Sequence, residues 1–432
     1  MNRYRMTNWE FPSADSTCTI RRAYLSEKPE RSWKKTQPSS RKTFRPAVRL
    51  LKEARMPSDY IVTELTRNGE KFLAAALYED GSLAMLRMEK EKSDSITGCI
   101  YRGIVDSVSK NISSAFIDIG KKDLCFLTMG KQKVLPSSKV TVQITKDAAG
   151  LKQPCCSLKL SIPGRYAVVS DTKEGISFSS KLTAEQKDLI GKWIDPAAAS
   201  GFHFLIRTNA AYADKASLNA ELSGLSAQLQ SIREKAETAK SRTLLYAPKP
   251  FYVQMLRDFY EVPDRVRSDI PKIAEELSCP LYEDRSLSLA DLKGLPHDLD
   301  RLTQKKVWLK CGGFLVIEQT EAFVSIDVNT GKCLKGRSAE ETYRKVNLEA
   351  AAEAARQIAL RNLSGMILID FINMENPDHN EELFNVMRKL LRKDHVHAEA
   401  VDLTKLGILE ILRQKIEKPL SETLGETNSG NT

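Results

Sequence analysis

The chain of 432 residues contains no apolar run long enough to cross a bilayer, which excludes a helical membrane span. No apolar core follows the first positive charges, so a secretory signal peptide is excluded as well. The eight cysteines include no CxxC pair, and the five histidines do not cluster with them. Such scattered thiols suit a reduced, cytosolic protein, and no zinc site is expected. No Ser/His/Asp or Cys/His arrangement stands out for nucleophilic catalysis. Thr330-Gly331-Lys332 looks like the end of a phosphate loop. A Walker A loop, however, needs Gly where Ile326 stands and Ser or Thr where Cys333 stands.

Net charge is +10, but it is unevenly placed. Residues 1–55 hold 14 Lys and Arg against 5 Asp and Glu, which leaves 52 against 51 for the rest. Any nucleic-acid surface on the body is therefore a local patch and not a global field. The basic stretch lacks hydrophobic periodicity and is rich in Arg, Lys, Ser and Pro, so disorder is its default reading. Two alternatives stay open: a transit peptide, against which Glu10, Asp15, Glu27 and Glu30 speak, and a non-native leader ahead of a start at Met56.

From Tyr60 the pattern changes. IVTELT, FLAAALY and LAMLRM read as strands joined by Asn68-Gly69 and Asp80-Gly81, dipeptides that favour tight hairpins. Five further short runs, CIYRGIV, SAFIDIG, LCFLTM, KVTVQIT and CSLKLS, predict a small OB-type barrel. In SAFIDIG, Ala115, Ile117 and Ile119 alternate with Phe116 and Asp118. Phe116 is then displayed outward, either to stack a base or to cover a neighbouring domain. RYAVV and FHFLIRT add strands, and Leu and Ile spacing predicts an amphipathic helix from Ala216 to about Arg242. A second helical tract is expected through Leu277, with loop over residues 280–305.

The stretch from Leu315 to Phe371 organises the rest. FVSIDVN puts Val324, Ile326 and Val328 on one face and Ser325, Asp327 and Asn329 on the other. Ser338-Ala-Glu-Glu341 reads as a capping box for a helix running to near Arg361. The strand MILIDF follows Gly365 and ends near Asp370. A helix (Glu381–Arg392), a strand (Val396–Leu403), a final helix (Leu406–Ile416) and a loose tail after Pro419 are expected next. In open α/β sheets ligands gather at the carboxyl ends of strands, so Asp327 and Asp370 can converge there. Two carboxylates suit a hard cation such as Mg²⁺. Each could equally cap a helix or pair with lysine. Lys146 and Lys152, beside the barrel, could meet phosphates or simply be solvated. Arg207-Thr208 suits a terminal phosphate or a structural ion pair. The residues alone thus describe an OB barrel coupled to an α/β domain with a candidate Mg²⁺ site, and a nucleic-acid phosphodiesterase.

SIDVNTG, NLEAAAEAARQ, ILIDF and LGILEILRQK together resemble the catalytic core of the RNase E/G endoribonuclease family. YRGIVDSVSKNISSAFIDIG with FLTM resembles that family's S1-type RNA-binding barrel, and FLIRT its 5′-sensor segment. The resemblance runs from about Tyr60 to about Gly425. It implies an α+β and α/β multidomain fold: an RNase H-like segment (57–96 and 249–302) around an S1-type OB barrel (97–161), a 5′-sensor subdomain (162–248) and a DNase I-like α/β subdomain (303–420). A basic extension (1–56) and a tail (421–432) flank these. It also implies Mg²⁺-dependent cleavage of single-stranded RNA, leaving a 5′-phosphate and a 3′-hydroxyl, in rRNA or tRNA maturation or mRNA decay. Asp327 and Asp370 would hold the ion that activates water, with Asn329 in support. Phe116, Phe126, Lys146 and Lys152 would grip substrate, and Arg207, Thr208 and Val168 would form the 5′-monophosphate pocket.

The chain departs from the family pattern at several positions. Asn373 stands where the family commonly has Asp, Phe178 and Ser179 replace paired arginines, and Lys405 replaces an Arg. The CPxC zinc-link and small domain are missing, so no zinc-linked assembly is expected, and a homodimer or other oligomer would need another interface. These losses leave open a second reading, an RNA-binding relative impaired in catalysis. A bacterial cytoplasm is the expected compartment, and a plastid is the alternative if the extension is a transit peptide.

Overall fold

The computed structural model describes residues 57–91, 95–130, 133–148, 152–284, 286–333 and 338–425. The extension expected over 1–56 and residues 426–432 of the expected tail lie outside them. The first strands, β1 (Asp59–Arg67), β2 (Glu70–Glu79) and β3 (Ser82–Lys90), form an antiparallel meander. Both residues of each turn, Asn68-Gly69 and Asp80-Gly81, have positive φ, the type I′ geometry that matches strand twist.

The five runs expected to form a barrel do so. They are β4 (Ile100–Ser109), β5 (Ser114–Asp118), β6 (Cys125–Thr128), β7 (Lys139–Lys146) and β8 (Cys155–Ser157), closed by pairing of β4 with β7. Ala115, Ile117 and Ile119 fill the interior with Val105, Leu127 and Val142, as the alternation required.

A third sheet is built from β9 (Ser161–Pro163), β10 (Ala167–Ser170), β11 (Gly175–Phe178) and β12 (His203–Ile206), with α1 (Ala184–Trp193) between the last two. Helix α2 (Lys215–Thr238) packs Leu218, Leu222, Leu229 and Ile232 into that sheet's core. Strand β13 (Thr243–Tyr246) then extends the barrel by pairing with β4.

Two expectations fail in the next segment. The helical tract is divided into α3 (Phe251–Asp258) and α4 (Pro271–Glu276) by β14 (Arg265–Ser268), which lies parallel to β1. The Arg267–Asp59 ion pair and the Ser268 hydroxyl, donating to the Val62 carbonyl at 2.7 Å, hold it there. Residues 280–305 are loop only in their first part. They contain α5 (Leu289–Lys293) and α6 (Leu295–Thr303), whose Leu289, Leu295, Leu299 and Leu302 cover one face of the meander.

The last sheet has the order β15 (Lys306–Trp308), β16 (Phe314–Gln319), β17 (Phe323–Asn329), β18 (Gly365–Asp370), β20 (Ile408–Arg413), β19 (Ala398–Leu403). Helix α7 (Ala339–Leu360) crosses from β17 to β18, making that pair parallel, and α8 (Pro377–Leu391) connects β18 to β19. Ser338 caps α7 by accepting from the Glu341 amide at 3.3 Å. The final helix expected at 406–416 is instead strand β20. Leu409 and Ile411 alternate into the core, and the strand pairs with both β18 and β19, whose backbone groups would otherwise lack partners. Arg413, at its end, is buried against Asp394 at 2.8 Å and the Leu363 carbonyl at 2.9 Å. The tail does not loosen at Pro419 either: α9 (Leu420–Thr423) follows, with Leu420 and Leu424 buried beside the meander. Helices α7 and α8 cover one face of the six-stranded sheet. The opposite face leaves Trp308, Asp327, Met366, Asp370 and Leu412 exposed.

Candidate active site

Asp327 and Asp370 stand opposite one another in register at the carboxyl ends of the two parallel strands β17 and β18. Alternation turns Val324, Ile326 and Val328 inward beneath α7, so Asp327 and Asn329 face out with Asp370. Adjacent strands lie about 4.8 Å apart, close enough for both carboxylates to touch one cation. No described Lys or Arg forms an ion pair with either. Asn329 donates from Nδ2 to Oδ2 of Asp327 at 2.6 Å. Among the described residues no group of three or more His, Cys, Asp or Glu is placed to hold a metal. The pair thus offers two hard oxygen ligands, the kind of set that Mg²⁺ takes when water and substrate phosphate complete its shell.

The backbone behind this pair is held from both sides. Gly331 has positive φ, and a Cβ there would collide with the Gly312 carbonyl oxygen. A Cβ on Gly313 would lie 2.7 Å from the Asn329 carbonyl oxygen. The turn after β17 and the β15–β16 hairpin therefore fit together only as glycines. Beyond β18, the fully buried Asn347 of α7 donates to the Ile372 carbonyl at 2.7 Å and accepts from its amide at 3.1 Å. Asn373 packs its Oδ1 where a side chain on Gly407 would go, and Lys405 is exposed on the same β19–β20 hairpin.

On the barrel, Phe116 pairs with Phe126, Phe126 with Cys155, and Cys155 with Lys146. One outward row thus joins three of the four residues expected there, and the two rings lie 5.9 Å apart, edge to face. Lys152 is exposed on the chain leading into β8. Asp118, the acid beside Phe116, takes two hydrogen bonds from Arg242 at 2.9 and 2.6 Å. Those bonds hold its carboxyl below the usual range.

At the end of β12, Arg207 donates from Nη1 to the Gly164 carbonyl at 2.6 Å and to Oδ1 of Asp258 at 2.7 Å. Burial works to raise the Asp258 carboxyl. The Arg257 hydrogen bond and the charges of Arg207 and Arg257 outweigh burial and lower it. Thr208 lies 3.2 Å from the Ser179 hydroxyl, and Val168 stands opposite Leu205, one alternate position before Arg207. The three residues share one region. Arg207 is already committed in part to an ion pair through Nη1, with Nε and Nη2 making no hydrogen bond among the described residues.

The model of the ribonuclease E/G family matches residues 161–416. The chain belongs to that family. Ribonuclease G of Escherichia coli is 28% identical over 392 residues, covering 81% of this chain and 79% of that protein. Ribonuclease G of Haemophilus influenzae is 27% identical over 388 residues, covering 81% and 78%. Ribonuclease E of Nostoc sp. is 29% identical over 372 residues, covering 76% of this chain and 53% of that protein.

The region of this ribonuclease E/G family member matched by the family model includes Asp327, Asn329, Asp370, Arg207, Thr208 and Val168. The barrel row lies before its start. Four positioning residues escaped the sequence reading: Asn347, Asp258 and the glycine pair 312–313. Asn347 had a signal, as a polar side chain among the alanines of an Ala-rich helix. Asp258 had none, since its partner is 51 residues away.

Proposed function

We propose that the protein cuts single-stranded RNA with Mg²⁺ held by Asp327 and Asp370. Family membership makes it an endoribonuclease, and the proposal concerns how it acts. The observation that carries it is the in-register, outward-facing carboxylate pair without a cationic partner among the described residues. Left without a counter-charge, two acids on adjacent strands repel, and a divalent ion removes that cost. When bound, Mg²⁺ supplies an acidified water and offsets charge on the phosphate.

The two aspartates would hold the ion, and Asn329 holds the Asp327 carboxylate in one orientation. Water oxygen bonds to phosphorus as the P–O3′ bond breaks. The downstream fragment keeps a 5′-phosphate, and the upstream O3′ takes up a proton, balancing the one the attacking water gives up, to become a hydroxyl. The outward row Phe116, Phe126 and Lys146, with Lys152, would hold the strand by stacking and charge. Arg207, Thr208 and Val168 would receive a 5′-monophosphate.

The test is cleavage of a short AU-rich single-stranded RNA. Cutting is expected with Mg²⁺ and not with EDTA. Asp327→Asn or Asp370→Asn should slow it about a hundredfold or more while RNA binding persists. A double Asn variant that cuts at the wild-type rate would overturn the metal assignment.

A further inference from the structure

The open face of the last sheet carries a feature that the carboxylate chemistry does not use. Cross-strand register defines two neighbouring rows. One runs Lys306, Val316, Asp327, Asp370, Ile408; the next runs Trp308, Phe314, Asn329. Trp308 is 59% exposed although it is the largest apolar side chain on that face. Its ring lies 5.3 Å from that of Phe314, tilted by 62°. The Lys306 ammonium sits 4.2 Å from the Trp308 ring centre and 3.6 Å from that of Phe314. Two strand spacings of about 4.8 Å and one alternate step of about 7 Å separate Trp308 from Asp327. A short stretch of extended single strand can reach from one to the other.

The chemistry of the surrounding face narrows what this ledge would take. Without a bound cation, Asp327 and Asp370 disfavour a phosphate backbone lying flat on the sheet, and Glu318, the acid on β16, is tied to Lys305 at 2.9 Å. Stacking on an aromatic ring is indifferent to that charge, and every nucleobase has a π-face. A cation clamped against both rings adds local attraction for the adjoining phosphate. We propose that Trp308 and Phe314, with Lys306, form a stacking subsite for one nucleobase of single-stranded RNA flanking the bond cut at Asp327 and Asp370. This inference rests on the nuclease reading for its substrate and on the shared sheet face for its position.

The test uses the full chain in EDTA, where RNA stays intact, and a fluorescein-labelled ten-nucleotide AU-rich RNA. Trp308→Ala or Phe314→Ala is expected to weaken binding about tenfold, the loss of one stacked base. Trp308→Phe should restore most of it. RNA carrying one abasic nucleotide, moved along the strand, should lose a similar factor with the wild-type protein at one position and lose nothing further with Trp308→Ala. That arm needs no variant that might misfold to show the effect. Uniform tolerance of abasic sites by the wild type, or unchanged affinity in folded alanine variants, overturns the proposal. So does an effect of Trp308→Ala that tracks dissociation of a dimer by light scattering, which would make the face a contact between copies. The nuclease reading fails separately: no cleavage with Mg²⁺, with the position-specific abasic effect intact.

Discussion

Asn329 donates to Asp327 across 2.6 Å, from a position two residues further along the same strand. The bond consumes one carboxylate lone pair and aims the others. Asn329→Ala should therefore leave the ion bound but less precisely, slowing cleavage about tenfold to a hundredfold. Single-turnover rates at saturating Mg²⁺, beside the Mg²⁺ concentration for half-maximal rate, would check this. A rate equal to wild type would remove Asn329 from the machinery.

Gly331 tests whether the glycine contact positions that same strand end. Gly331→Ala meets both an unfavourable φ and the Gly312 carbonyl oxygen. Gly69 has positive φ but open space around a Cβ, so Gly69→Ala isolates the backbone penalty of about 1 kcal/mol. Gly331→Ala should lower the urea midpoint more than Gly69→Ala and also slow cleavage, whereas Gly69→Ala leaves cleavage unchanged. Equal effects from the two would show that the close approach is immaterial.

Arg207 joins the third sheet to α3 through Asp258. If its remaining nitrogens take a 5′-phosphate, wild-type protein should cut 5′-monophosphorylated RNA several-fold faster than 5′-hydroxyl RNA, and Arg207→Ala should abolish the difference. A purely structural Arg207 would lower thermal stability without changing the ratio of the two rates.

His395 predicts a pH effect. Its ring stacks on Tyr260 at 5.1 Å and lies edge-on to Phe259 at 6.4 Å. Burial lowers its pKa below the ordinary histidine value, although Asp258 and Asp394 pull the other way. The unfolded chain then binds this proton more readily than the folded one, so stability contributed above about pH 6.5 is lost as pH falls through the depressed folded value. Urea midpoints measured from pH 7.5 down to 5 should fall for wild type and fall less for His395→Phe. Parallel curves would refute the assignment.

Strand character was legible where apolar and polar residues alternate strictly along one buried face. Ala115, Ile117 and Ile119 against Phe116, and Val324, Ile326 and Val328 against Asp327 and Asn329, announced both the element and the outward residues. Residues 406–416 misled because Leu406, Ile408, Leu409, Ile411 and Leu412 satisfy helical and alternating spacing together. The unpaired backbone of β18 and β19 decided between them. In 289–302, by contrast, Leu289, Leu295, Leu299 and Leu302 carried a helical signal obscured by the short length of α5 and α6.

The order of residues alone determined that two aspartates end apolar strands, that a barrel precedes them, and that Phe116 alternates outward on it. Local alternation and turn chemistry act over a few residues, so they can be read without the fold. Only the tertiary structure decided that Asp327 faces Asp370, that Asp258 meets Arg207, and that Trp308 stands on the same sheet face as the two aspartates. Asp327–Asp370 and the place of Trp308 depend on strand register, and Asp258–Arg207 on how α3 packs against the third sheet; no short-range pattern encodes either.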